Sequence, residues 1–156
     1  MKRYVILAAW TVLAGAGIPL IGILNGAMAR SIGNPFAATT ALFAVAMVAA
    51  LSITLPLHGY PGAAQFASAP AASWAAGLLI SFYALSATVI IPRFGAASFV
   101  AYILIAQLLT SAIVDHFGLF AMERRPLDLT KLVGLAAIAG GITIMEIGNL
   151  LNASSK

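Results

Sequence analysis

The chain has no cysteine and very little charge, with four acids and eight lysines or arginines among 156 residues. The first absence removes disulfides and thiol chemistry, and says little about compartment. The second removes the polar cover that a water-soluble fold needs over its apolar atoms. No nucleotide-binding loop and no metal-ligand set is present, so no cofactor is expected. The charge that exists leans positive, +4 overall with a pI near 9.9. Its cations are scattered, which suits anchoring at a membrane interface and not nucleic-acid binding.

Apolar sequence fills the rest: 62% of residues are hydrophobic and the mean hydropathy is +1.05. Five runs account for it, at about 4–24, 36–57, 71–91, 94–114 and 132–151. About 20 apolar residues at 1.5 Å rise span the hydrocarbon core of a bilayer. Backbone groups in lipid must bond within their own segment, and runs twice the length of a barrel strand are helices. The expected fold is an all-α integral membrane protein, one five-helix domain over 1–156. Lys2-Arg3 and Ala14-Gly15-Ala16 mimic a signal peptide, but the apolar stretch continues to Leu24, well past the length of a signal peptide's apolar region, so the first helix is expected to be retained.

Helix ends alternate between the two sides of a membrane, which sorts the cations. Lys2, Arg3, Arg124, Arg125 and Lys131 fall with the N-terminus, and Arg30, Arg93 and Lys156 fall opposite. The excess places the N-terminus in the cytoplasm, by a margin thin enough to allow insertion both ways round. An odd helix count adds to this. Two copies in opposite orientations give ten helices related by an axis in the membrane plane, the arrangement of inverted-repeat transporters. A monomer and a parallel dimer are the alternatives. Within the chain, Pro35-Phe36-Ala37-Ala38-Thr39 and Pro92-Arg93-Phe94-Gly95-Ala96-Ala97-Ser98 echo one another and are expected to open the second and fourth helices.

Gly134, Gly141 and Gly148 recur every seven residues, within about 40° of one another on a helical wheel. Small residues so spaced let backbones touch, either within one subunit or between two. On the same helix, Glu146 is the acid that lies well inside a span; it is a candidate for ion coupling, or for a headgroup or cation contact near the helix end. Neutral polar groups are commoner. Asn25 shares a face with Thr11 and Gly22; Trp74, Ser81 and Thr88 recur every seven residues; Gln107, Thr110 and Ser111 cluster. Such faces should point inward, bonding helix to helix. With Phe82, Tyr83 and Tyr102 they would also suit a cavity for a neutral, zwitterionic or aromatic solute. Asp115-His116-Phe117-Gly118, followed by Glu123-Arg124-Arg125-Pro126, reads as a charge-paired turn with Asp115 accepting from Arg124 or Arg125 and Gly118 left-handed. Asp115 and His116 as a catalytic base and its orienter is the weaker reading, because no nucleophile accompanies them.

The Gly134–Ile142 stretch resembles the dimerisation stripe in the last helix of small multidrug-resistance transporters. The stretch Gln107–Phe120, with Arg125-Pro126-Leu127 and Gly134-Leu135, resembles the YdcZ-type small inner-membrane proteins of the drug/metabolite transporter superfamily. Pro92–Ala97, Phe82-Tyr83, and Asn25 with Pro35 fit the same pattern. A glutamine expected near Gly22 is missing, the glycine usual before Gln107 is Ala106, and Glu146 lies outside the pattern. The resemblance implies half of a ten-helix inverted-repeat bundle in a bacterial inner membrane. It also implies an export-directed activity; with the odd helix count, the expected function is transport of small organic solutes by alternating access, with a second copy or a homologous chain as antiparallel partner. A non-transporting scaffold or accessory subunit is the rival reading.

Overall fold

The computed structural model describes residues 2–154, so Lys156 lies outside the described residues. Helix α1 runs Lys2–Ile32, α2 Pro35–His58, α3 Ala63–Ala67, α4 Ala75–Phe94, α5 Ala96–Phe117 and α6 Leu129–Ser154. Single 3-10 turns at Ala71–Trp74 and Leu119–Ala121 lead into α4 and out of α5. Five of these segments are long and apolar enough to cross a membrane; α3 is a five-residue connector. No strand occurs among the described residues.

The first helix is longer than its apolar run. At 1.5 Å per residue its 31 residues extend about 46 Å, beyond the hydrocarbon thickness of a bilayer. It ends at Gly33, whose φ of +71° turns the chain out of the helix. Asn34 then caps α2, its Oδ1 accepting from the backbone N–H of Phe36 at 3.0 Å and Ala37 at 3.1 Å. Pro35 stands at the first helical position, where its missing N–H costs nothing.

Pro92 behaves differently from expectation. It lies in the last turn of α4 instead of opening the next helix, and Gly95, at φ +90°, makes the break. The Gly95 N–H closes α4 by donating to the Ile91 carbonyl at 2.9 Å. Three residues before that break, Pro92 removes the N–H that would have bonded the Thr88 carbonyl.

Two compact units make up the chain, Met1–Ala96 and Ala97–Lys156. In the first, α1 packs on both α2 and α4, and α2 also touches α4. Its core holds no large apolar cluster. Gly22, Asn25, Gly26 and Ala29 of α1 are buried, as are Ala38 and Thr39 of α2 and Ala84, Ala87, Thr88 and Ile91 of α4. Small side chains let helix backbones approach closely, and lipid supplies little hydrophobic drive to do it another way. A Cβ on Gly22 would collide with Ile91 Cδ1, and one on Gly26 would stand 3.1 Å from Pro92 Cγ. In the second unit, α5 and α6 are joined by the turn and a loop. Asp128 starts α6 by accepting from the Lys131 N–H at 2.7 Å.

Candidate functional site

The buried polar core of the first unit is one cluster. Asn25 Nδ2 donates to Thr88 Oγ1 at 2.6 Å and to Thr39 Oγ1 at 3.3 Å. Each threonine hydroxyl also reaches back one turn, Thr39 to the Pro35 carbonyl at 2.9 Å and Thr88 to the Ala84 carbonyl at 2.7 Å. Three helices therefore meet at one amide and two hydroxyls, all buried. A group so placed is satisfied and dry, which makes it a fastener first. Asn25 also borders an apolar hollow of about 270 Å³ between α1 and α2, lined by residues such as Leu24, Met28 and Leu42.

In the second unit, Gln107, Thr110 and Ser111 come together with Ala106 around a hollow of about 300 Å³. Gln107 and Ser111 are exposed within the chain. On the other side of Ser111, a hollow of about 310 Å³ opens between α5 and α6. Its walls include Leu108, Ala112 and Leu135, with Asp115, Arg125 and Lys131 as the charged groups. Elsewhere on these helices, Asn149 Nδ2 donates to Ser98 Oγ at 3.3 Å and to Glu146 Oε1 at 3.2 Å. Glu146 is half-buried there.

The turn after α5 is tied by backbone more than by charge. Gly118 is left-handed at φ +64°. The Arg125 N–H donates to the backbone carbonyl of Asp115 at 2.8 Å, and Arg124 Nε donates to that of His116 at 3.1 Å. His116 Nδ1 accepts from the Leu127 N–H at 3.1 Å, which fixes the imidazole as an acceptor in a folded loop. The ion pair forms between Arg125 and Glu123 at 2.8 Å and not with the Asp115 carboxylate. Asp115 still belongs to the helix, whereas Glu123 lies two residues from Arg125 on the same exposed loop. The hydrogen bond and charge of Arg125 hold the Glu123 carboxyl below its ordinary value, and Glu123 raises the guanidinium in return.

Other candidates are dispersed. Trp74 and Ser81 are exposed; the Ser81 hydroxyl is spent on the Gly77 carbonyl at 2.7 Å. Thr88, on the same seven-residue spacing, is the member that turns into the core. The Phe66 ring stands between Tyr60 and Trp74, with centroids 5.4 and 6.2 Å away, in the connector between α2 and α4. Tyr83 is half-buried and Tyr102 exposed. Beyond their chain neighbours and the backbone of their own helix, nothing described lies within 4 Å of where a Cβ would stand on Gly134, Gly141 or Gly148. Thr39, Ser98 and Asn149 complete polar contacts that spacing alone did not single out. Thr39 and Ser98 do occupy corresponding places at the ends of the two echoing segments, which was the available signal.

Among the described residues no group of three metal-binding side chains occurs. What the geometry offers is a set of helices with one closed polar core and one open polar face. Residues 6–144 match the family model described as "Putative inner membrane exporter, YdcZ". No curated protein and no solved structure matches the chain. A match over most of the length, on five membrane-length helices, settles the affiliation: the chain belongs to the YdcZ family and is a multi-pass inner-membrane protein.

Proposed function

We propose that the chain is half of an exporter of small organic solutes, and that two copies, or one copy and a homologous chain, assemble antiparallel and work by alternating access. The observation that carries this reading is the open polar face of α5. An amide and two hydroxyls in the middle of a membrane span, gathered around a hollow of about 300 Å³, are costly to leave against hydrocarbon. A second subunit covers them and turns the face into a cavity wall. The Gly134, Gly141 and Gly148 stripe on α6 supports the same arrangement, since small residues at this spacing offer a close-approach surface to another helix.

In this reading Gln107 and Ser111 contact the solute, Tyr83, Tyr102, Ser81 and Trp74 are separate candidates for solute contact, and Asn25 acts through helix packing. Aromatic walls with a few placed polar groups suit neutral, zwitterionic or aromatic solutes. Rocking of the two halves about a midplane site exposes it to each side in turn. Without a nucleotide-binding loop, transport is passive or driven by an ion gradient, and Glu146 is the candidate for coupling.

Purified protein in liposomes tests this. Flux of at least one solute from a chemically broad panel, above that of empty vesicles and lowered severalfold by Gln107→Leu, is the expected result. Flux that Gln107→Leu leaves unchanged moves the solute path away from α5. No flux for any solute makes the chain a non-transporting scaffold. An unchanged pH dependence in Glu146→Gln removes that residue from coupling.

A further inference from the structure

The first unit contains no acid at all: the first carboxylate in the chain is Asp115. Its cations therefore have no internal counter-charge. Two of them, Arg30 and Arg93, lie in the last turns of α1 and α4 and border one hollow of about 220 Å³. Gly26, Ala29, Pro35 and Thr88 form part of the remaining wall. Arg30 folds back over the helix, its Nη1 3.7 Å from where a Cβ on Gly26 would stand. Neither guanidinium makes a hydrogen bond or ion pair among the described residues; the salt bridge that forms there is the Arg125–Glu123 pair of the second unit. We propose that this hollow binds a phosphate oxyanion held between Arg30 and Arg93.

Three physical considerations select that ligand class. Two like charges on one cavity repel, and an anion between them converts the repulsion into charge-assisted hydrogen bonds. Guanidinium forks match the paired oxygens of phosphate. Both arginines stand at the ends of membrane-length helices, the depth at which headgroup phosphates lie and long cationic side chains reach out to them. Size points the same way, because 220 Å³ is below the usual range for a drug-sized organic ligand. The start of α2 adds a positive end of a helix dipole at Pro35, although Asn34 already takes the N–H groups of Phe36 and Ala37. It contributes field, and the arginines contribute the donors. The site does not depend on transport.

Native mass spectrometry of the purified full-length chain tests the site, with phosphatidylglycerol as probe and diacylglycerol of the same acyl chains as the phosphate-free reference. The parent is expected to retain phosphatidylglycerol over diacylglycerol. R30Q/R93Q should reduce that retention about tenfold or more, whereas K2Q/R3Q, which removes the same charge elsewhere, should change it less than about twofold. Circular dichroism confirms the fold of each variant, and if the double variant does not fold, the single variants R30Q and R93Q decide by the same criterion. Inorganic phosphate at millimolar concentration separates the sources. Displacement of the lipid identifies a site open to soluble phosphate, and retention identifies a headgroup site; both support an oxyanion site. Equal binding of the two lipids by the parent overturns it, as does unchanged binding in R30Q/R93Q or an equal loss in K2Q/R3Q.

Discussion

Asn25 and Thr88 are 63 residues apart in sequence and 2.6 Å apart in space, joined by a hydrogen bond that fixes the register of α1 against α4. Thr39 brings α2 to the same point. In a unit whose other buried contacts are glycine, alanine and one isoleucine from these helices, this cluster is the directional interaction. Van der Waals packing of small residues tolerates sliding; an amide held between two hydroxyls does not.

Replacing Asn25 with alanine should cost about 1–2 kcal/mol, at the upper end of what interhelical hydrogen bonds contribute in membranes. The cost stays modest because Thr39 and Thr88 keep their own back-bonds to Pro35 and Ala84. Asn25→Asp should cost more, since it removes the amide donor to Thr39 and Thr88 and buries a carboxylate in its place. Unfolding by sodium dodecyl sulfate, followed by circular dichroism, measures both. Equal stability of all three proteins would show that the cluster does not set the helix contact.

Close approach at Gly22 gives a second expectation. Gly22→Ala introduces a Cβ that meets Ile91 Cδ1 and lies 3.1 Å from the Ala87 Cβ. Overpacking of this kind costs about 1–3 kcal/mol. Trimming the opposing side chain in Gly22→Ala/Ile91→Ala should recover part of the loss, so the double variant is more stable than the sum of the two single effects predicts. Strict additivity in the same unfolding assay would mean that the two residues do not meet.

These contacts also show what the sequence could convey. Five spans were legible because each is a long uninterrupted apolar run. The end of α1 was not: the run stops at Leu24, yet the helix continues to Ile32, because Asn25 and Gly26 are buried against other helices instead of facing lipid. Pro92 looked like a helix start because the chain resumes an apolar run after it, but its fixed φ also suits a last turn, and Gly95 supplies the break. The polar residues were visible and their partners were not. Thr88 shares a spacing with Trp74 and Ser81, and the neighbour it meets on α1 depends on how three helices cross, which a single-helix period does not encode. Asp115 near two arginines suggested an ion pair for the same reason, whereas backbone geometry gave Arg125 to Glu123.

The loop after α5 depends on His116 as an acceptor. His116→Ala removes the partner of the Leu127 N–H, a bond of 3.1 Å. Loss of one such bond should open the loop about fivefold more often. Limited trypsin digestion in detergent reads this as faster cleavage after Arg124, the bond after Arg125 being protected by Pro126. His116→Asn, which can present an oxygen near the same position, should be cut more slowly than His116→Ala. Identical cleavage of parent and alanine variant would remove His116 from the loop's support.

The Glu123–Arg125 pair predicts a small acid dependence. Glu123 is held below its ordinary carboxylate value in the folded protein, so its contribution is present above the unfolded value and is lost as pH falls through the folded one. Both groups are exposed, so the contribution is slight even at neutral pH. Thermal unfolding of Glu123→Gln should lie marginally below the parent at pH 7 and coincide with it in strong acid. A gap that widens on acidification would reverse the assigned sign.

Orientation is the last expectation, and the cysteine-free sequence makes it directly measurable. Single cysteines at Ser31, beside Arg30, and at Met122, in the loop after α5, are expected on opposite faces of a membrane because successive spans alternate in direction. With five cations at one end (Lys2, Arg3, Arg124, Arg125, Lys131) and three at the other (Arg30, Arg93, Lys156), the bias is weak. Each cysteine should then be labelled in part from either face of sealed vesicles. R30Q/R93Q leaves five against one, and should drive the chain to one orientation with the Met122 end in the cytoplasm. If two identical copies must pair antiparallel, the variant alone then loses flux, and co-expression with a copy biased the opposite way restores it. Complete labelling of the parent from a single face would leave a homologous chain as the only antiparallel partner, and undiminished flux from the uniformly oriented variant would defeat the antiparallel assembly itself.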